Sequence, residues 1–133
     1  MGFFKRLLGI CQTPHPADAE CWRYEHGRVV IDLDRTPELR APYGAIRLEA
    51  KTLPDRILVF NGGDGQFHAF YNRCSHMGRR IDPVPESDTI ACCSVSGSTY
   101  DYSGHVTGGP AKGNLTVLPV MQSENSLYIR LDC

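Results

Sequence analysis

The sequence predicts an all-β domain of short antiparallel strands, and three observations predict it. Residues 56–72, "RILVFNGGDGQFHAFYN", set two apolar runs around Asn-Gly-Gly-Asp-Gly, a composition that turns a chain back as a hairpin. Residues 114–131, "NLTVLPVMQSENSLYIRL", repeat that layout around Ser-Glu-Asn-Ser. Upstream, "RVVIDL" (28–33) is a β-branched run, and "GAIRLEA" (44–50) alternates apolar with polar, the period of a half-buried strand. Pro119 has no N–H to give a ladder, so it assigns its strand to a sheet edge or a bulge. No internal repeat or low-complexity segment interrupts this plan.

Before residue 28 the text is less regular. Residues 11–27, "CQTPHPADAECWRYEHG", mix Pro, Ala and charge without period and read as a loop with at most one helical turn, closed by Gly27. In "MGFFKRLLGIC" a secretory signal would need roughly 7–15 uninterrupted apolar residues, and Lys5 and Arg6 break the run. Arg6 also stands where myristoylation after Gly2 prefers Ser or Thr. The expectation is a mature N-terminus on a cytoplasmic protein. Phe3, Phe4, Leu7 and Leu8 share one face of a short amphipathic helix, suited to docking on the body or a partner, or to weak contact with a membrane surface. This divides the chain into a leader over 1–27 and a domain over 28–133.

With 133 residues there is room for one compact core. A net charge of −1 supplies no bulk field for nucleic acid or an anionic membrane. No apolar run approaches the ~18 residues of a membrane-spanning helix. Six cysteines in a reducing compartment point to metal binding or thiol chemistry rather than a disulfide framework. Cys11, Cys21 and Cys133 stand outside any ligand spacing and read as unreactive thiols.

Chemistry concentrates in two boxes. The first is "NRCSHMGRR", where Cys74 and His76, one residue apart on a loop, aim a thiolate and an imidazole the same way. Sixteen residues separate His76 from Cys93; two more separate Cys93 from Ser96, and Gly97 follows. Cys-x-His-x-Gly followed by Cys-x-x-(His)-Gly at that distance resembles the Rieske iron–sulfur family. The likeness continues in "GSTYD" (97–101) and "GHVTGGPA" (104–111), and covers roughly residues 44–131.

The resemblance implies an antiparallel β-sandwich base with a small cluster-binding subdomain, about 72–110, carrying a [2Fe–2S] cluster with thiolates on one iron and imidazoles on the other. Carried over, Cys74 and Cys93 bind the inner iron and His76 the outer one. Ser96 stands where the family has its second histidine. Ser98 and Tyr100 fall where family members place hydroxyl donors to a bridging sulfide and a cysteine sulfur. The fourth ligand has three candidate sources: Ser96 or a water in its place, Cys92, or His105. Ser96 or water is preferred, because Cys92 adjoins Cys93 and projects the other way along an extended chain, while His105 falls on a surface turn.

The function implied is a small soluble electron carrier serving a reductase- or oxygenase-type redox partner, rather than a catalyst in its own right. The alternative is a clusterless module for protein binding, or a Cys74/Cys93 thiol–disulfide switch. Zinc at the same donors and a catalytic iron opened at Ser96 complete the range of readings. Arg73, Arg79 and Arg80 crowd the first box as a solvated rim or as a steering patch for an acidic partner. His15, His26 and His68 pair with nothing that suggests metal, and the Gly-Gly steps at 62–63 and 108–109 read as turns rather than phosphate cradles.

Overall fold

A computed structural model of the chain describes residues 12–75, 78–93 and 97–131. Its strands are β1 (Trp22–Glu25), β2 (Arg28–Asp32), β3 (Ala45–Leu48), β4 (Ile57–Asn61), β5 (Phe67–Tyr71), β6 (Ile81–Val84), β7 (Thr89–Cys92), β8 (Thr99–Asp101), β9 (Val106–Gly108), β10 (Val117–Leu118), β11 (Val120–Ser123) and β12 (Ser126–Arg130). Every pairing among them is antiparallel, as the sequence predicts. They form three sheets, ordered β1-β2-β12-β11, β10-β5-β4-β3 and β6-β7-β8-β9. Two short 3₁₀ turns, Leu33–Arg35 and Pro37–Leu39, bridge β2 to β3. No described helix is long and apolar enough to cross a membrane.

The middle sheet, β10-β5-β4-β3, is covered on both faces. Along β4, Ile57 and Val59 enter one core and Leu58 and Phe60 the other. Neighbouring side chains on a strand point to opposite faces, so a strand buried on both sides reads as an unbroken apolar run, here "ILVF". The first core joins this sheet to β1-β2-β12-β11 through Val29, Ile31, Leu127 and Ile129. The second joins it to β6-β7-β8-β9 through Cys74, Ile81, Ile90, Cys92 and Tyr100.

Two local readings change. Residues 11–27 were expected to be loop, yet Trp22–Glu25 form β1, in register with Arg28–Ile31. His26 and Gly27, at φ 54° and 73°, make the tight two-residue turn between them. Two consecutive positive φ angles match the right-handed twist of the flanking strands, and Gly27 takes its share at no steric cost. The 114–131 stretch yields three strands instead of two. Pro119 passes the chain from β10 at the edge of the middle sheet to β11 at the edge of the first. The amphipathic helix expected over Phe3–Leu8 lies outside the described residues.

The segment before β1 is fastened to the body. Asp82, 3% exposed, accepts the Gln12 N–H at 2.8 Å, the Thr13 N–H at 3.2 Å and the Thr13 hydroxyl at 2.5 Å. The Arg47 N–H adds a bond to the Pro14 carbonyl at 2.9 Å. A buried carboxylate facing three donors is satisfied, so its burial costs little.

Candidate metal centre

The two cysteines of the boxes sit on loops at the ends of β5 and β7. A single stretch of backbone holds both: the Cys74 N–H donates to the Arg79 carbonyl at 2.6 Å, and the Cys93 N–H to the Arg80 carbonyl at 2.8 Å. Consecutive carbonyls thus draw the loops together. The first loop closes with the Gly78 N–H on the Cys74 carbonyl at 3.1 Å. Arg56 supports it from below, donating to the Asn72 carbonyl at 3.1 Å and the Gly78 carbonyl at 2.7 Å. Asn72, 1% exposed, accepts the Ile81 N–H at 2.8 Å and ties the first loop to β6. Arg56 and Asn72 escape a sequence reading. The only available signal is the asparagine that opens the first box, which alone is weak.

Tyr100 lies beneath the first loop with none of its surface exposed. Its hydroxyl accepts the Ser75 N–H at 3.2 Å and is 3.0 Å from the Ser75 hydroxyl. It also hydrogen-bonds the Cys74 side chain, and its pKa is pushed up to about 12, first by burial and then by that bond to Cys74. The phenol therefore stays protonated and donates to the sulfur.

Ser98 is fully buried. Its Oγ accepts the Ala111 N–H at 3.1 Å, which joins the second box to the "GGPA" tail. Gly109 makes that joint possible: a Cβ there would stand 2.5 Å from the Ser98 Cα, and its φ of 82° is one that side chains avoid. Asp101 also proves structural. Its Oδ1 accepts the Ser103 and His105 N–H groups, both at 2.9 Å, and the His105 N–H is the largest influence lowering its pKa. His105 is exposed in that turn, with Nδ1 3.5 Å from Asp101, and Cys92 is fully buried in the second core. Neither takes part in a ligand set with Cys74 or Cys93 among the described residues.

His76 and Ser96 lie outside the described residues. Cys74 and Cys93 are each 2% exposed. Cys21, Cys74 and Cys92 carry thiols, whereas Cys93 is disulfide-bonded. The donor set fits a [2Fe–2S] cluster on the Cys74 side, where a buried sulfur already has its hydroxyl donor. On the Cys93 side the fit requires reduction, because iron takes the thiolate.

Of the three arginines by the first box, Arg73 pairs with Asp55 at 3.2 Å and Arg80 with Glu49 at 2.6 Å, while Arg79 is exposed. Beside the loop an open depression of about 460 Å³ is lined by Arg73, Cys74, Ser75, Gly78, Asn114 and Thr116.

Comparison with known proteins agrees with this architecture. The ferredoxin of carbazole 1,9a-dioxygenase from Nocardioides aromaticivorans IC177 superposes with a TM-score of 0.61 at 20% identity, over 77% of this chain and 95% of that one. The cyanobacterial plasma membrane Rieske protein PetC3 from Synechocystis PCC 6803 does so with a TM-score of 0.53 at 24% identity, over 63% and 85%. The quaternary ammonium Rieske monooxygenase CntA matches 72% of this chain at a TM-score of 0.58 and 20% identity, but this chain covers only 30% of that protein. No curated protein matches the sequence. The family model for the Rieske [2Fe-2S] domain matches residues 31–119, well over half of the 133 residues. The chain belongs to the Rieske [2Fe–2S] domain family, and its cofactor is a [2Fe–2S] cluster.

Proposed function

We propose that this chain is a small cytoplasmic electron-transfer protein, exchanging single electrons with a redox partner of the reductase or oxygenase type. Cys74, His76, Cys93 and Ser96 would hold the cluster, within a cluster-binding subdomain of about 72–110. A bound [2Fe–2S] cluster supplies a one-electron donor and acceptor. The observation that carries the reading is the pair of cysteine loops drawn onto the Arg79 and Arg80 carbonyls, with Tyr100 donating to Cys74.

In this reading each residue has a separate task. Cys74 and Cys93 are the thiolates of the inner iron, and their burial keeps water from the sulfurs. Tyr100 withdraws charge from the Cys74 sulfur, which favours the more negative, reduced state. Ser98 anchors the second box to Ala111. Ser96 in place of an imidazole puts a harder oxygen donor on the outer iron and, once ionised, one more negative charge, which opposes Tyr100 and lowers the potential. The Arg73–Cys74–Ser75 depression and exposed Arg79 offer a partner a mildly basic approach to the cluster edge. The dioxygenase ferredoxin fold, matched over almost its full length, supports a carrier over a domain with its own substrate site.

The test is iron, acid-labile sulfide and visible absorption on protein purified anaerobically with a reductant that opens the Cys93 disulfide. About two irons and two sulfides per chain are expected. Electron spin-echo spectroscopy of the reduced protein should show nitrogen from a single imidazole, and Cys74→Ser should abolish iron binding. Colourless, iron-free protein after anaerobic reconstitution would refute the proposal; two coordinated imidazoles would refute the Ser96 assignment alone.

A further inference from the structure

On the side of the molecule away from the two cysteine loops, the outer face of the β1-β2-β12-β11 sheet carries an arrangement that the cluster does not explain. Arg28 on β2 and Arg130 on β12 are direct register partners. Like charges placed opposite each other on neighbouring strands destabilise a sheet. Neither arginine makes a close ion pair among the described residues; Glu25, opposite Arg28 on β1, is hydrogen-bonded by Arg23, and Arg28 acts on that carboxylate only as a more distant charge. The Arg28 guanidinium instead lies over the Tyr128 ring, 5.0 Å from its centre. Both arginines edge a groove of about 360 Å³ whose floor and far wall are Tyr128, Met121 and Pro119, with His26 at its end.

The far wall is the edge of the sheet. Residues 119–123, "PVMQS", are free of charge. Among them Met121 is 63% exposed. Proteins commonly guard an edge strand with charge; this one has only Pro119 as a guard. An apolar edge beside two guanidinium groups in direct register, neither held in a close ion pair among the described residues, has the chemistry to receive an anion that carries apolar surface.

We infer that this groove docks an acidic, apolar segment of a partner protein, with a carboxylate between Arg28 and Arg130 and an aliphatic side chain on Met121. Charge complementarity identifies the occupant. A second copy of this chain would add two more arginines to the face without supplying an anion. A small carboxylate would neutralise the arginines but leave Met121 and the rest of the uncharged β11 edge uncovered. The surface lies across the middle sheet and both cores from Cys74, so a partner held here leaves the cluster end open to a second protein.

The experiment uses the full chain and a fluorescein-labelled peptide, Leu-Glu-Val-Asp-Leu, against its Lys-for-acid counterpart, read by fluorescence anisotropy at low and at physiological salt. The acidic peptide should bind at least about tenfold tighter than the basic one, and more weakly as salt rises. The double variant Arg28→Glu/Arg130→Glu should lose about tenfold or more in affinity, the size-preserving pair Arg28→Gln/Arg130→Gln somewhat less, and Met121→Ser about threefold, with circular dichroism unchanged. Equal binding of the two peptides, acidic binding weaker than about 1 mM, or affinity unmoved by the arginine variants would overturn the proposal. So would competition by isobutyrate at concentrations matching the peptide, which would make the groove a small-carboxylate site. Sedimentation showing a dimer that the peptide does not dissociate would overturn it in favour of a second copy.

Discussion

The two cores of this molecule are built from different material although one strand supplies both. The core under β1-β2-β12-β11 is wholly aliphatic in its buried residues, from Val29 and Ile31 to Ile129 and Leu131. The core under β6-β7-β8-β9 mixes Leu58, Phe60 and Phe70 with Cys74, Cys92 and Tyr100. The first needs nothing but the exclusion of water. The second includes the Cys74 sulfur and the Tyr100 hydroxyl bonded to it, so its packing and the proposed iron site share residues. The lesson is a division of labour: the aliphatic core sets the fold's stability, and the mixed core converts that stability into geometry for two loops.

The largest test of this division uses two neighbours on β4. Ile57→Ala and Leu58→Ala each remove a fully buried side chain and should cost about 2–5 kcal/mol by denaturant titration. Only Leu58→Ala should also lower the iron retained per folded chain, because Leu58 packs in the core that contains Cys74. Equal iron loss in both variants would erase the distinction.

Gly109→Ala probes the joint between the second box and the tail. The new Cβ meets the Ser98 Cα at 2.5 Å and takes a φ of 82°, so a loss of about 3 kcal/mol is expected, read as a fall in Tm. Asp82→Ala leaves the Gln12 and Thr13 N–H groups without their acceptor and should cost about 2 kcal/mol. Hydrogen exchange should then rise at residues 12–14 and leave β4 unchanged. Exchange rising throughout the aliphatic core would show that the fastening also supports the base.

The smallest effect concerns acid. Arg80, hydrogen-bonded to Glu49, holds that carboxyl below its ordinary value of 4.5. Its stabilisation is complete above that value and is lost as pH falls through the lower folded-state value. The Arg80 side chain is 38% exposed, so the loss is under about 1 kcal/mol. Glu49→Gln should flatten the stability profile below pH 4.5 by that amount, measured by urea titration across pH.

Much of the fold was legible in the residues. The Asn-Gly-Gly-Asp-Gly turn does join β4 to β5, and "RVVID" and "AIRL" are strands as their patterns demand. β1 was missed, although "WRYE" alternates aromatic with charged residues and a two-residue turn ending in Gly follows. Four residues between prolines and a turn carry too little periodic signal to outweigh the composition around them. Of the candidate site, the spacing of the boxes pointed to Cys74 and Cys93, and the tail to Ser98 and Tyr100. The roles of Asn72, Arg56 and Asp82 were not legible, because each acts on backbone groups between 9 and 70 positions away in the chain.

By itself the sequence determined the strand content, the turn positions and the chemical identity of the two boxes, since these depend on local periodicity, backbone restriction and residue type. Only the tertiary structure decided that β4 feeds two cores, that Arg79 and Arg80 are the shared anchor of the cysteine loops, and that Arg28 meets Arg130. Those facts depend on which strands lie side by side and in what register, and register is set by the burial of whole faces rather than by any short run of residues.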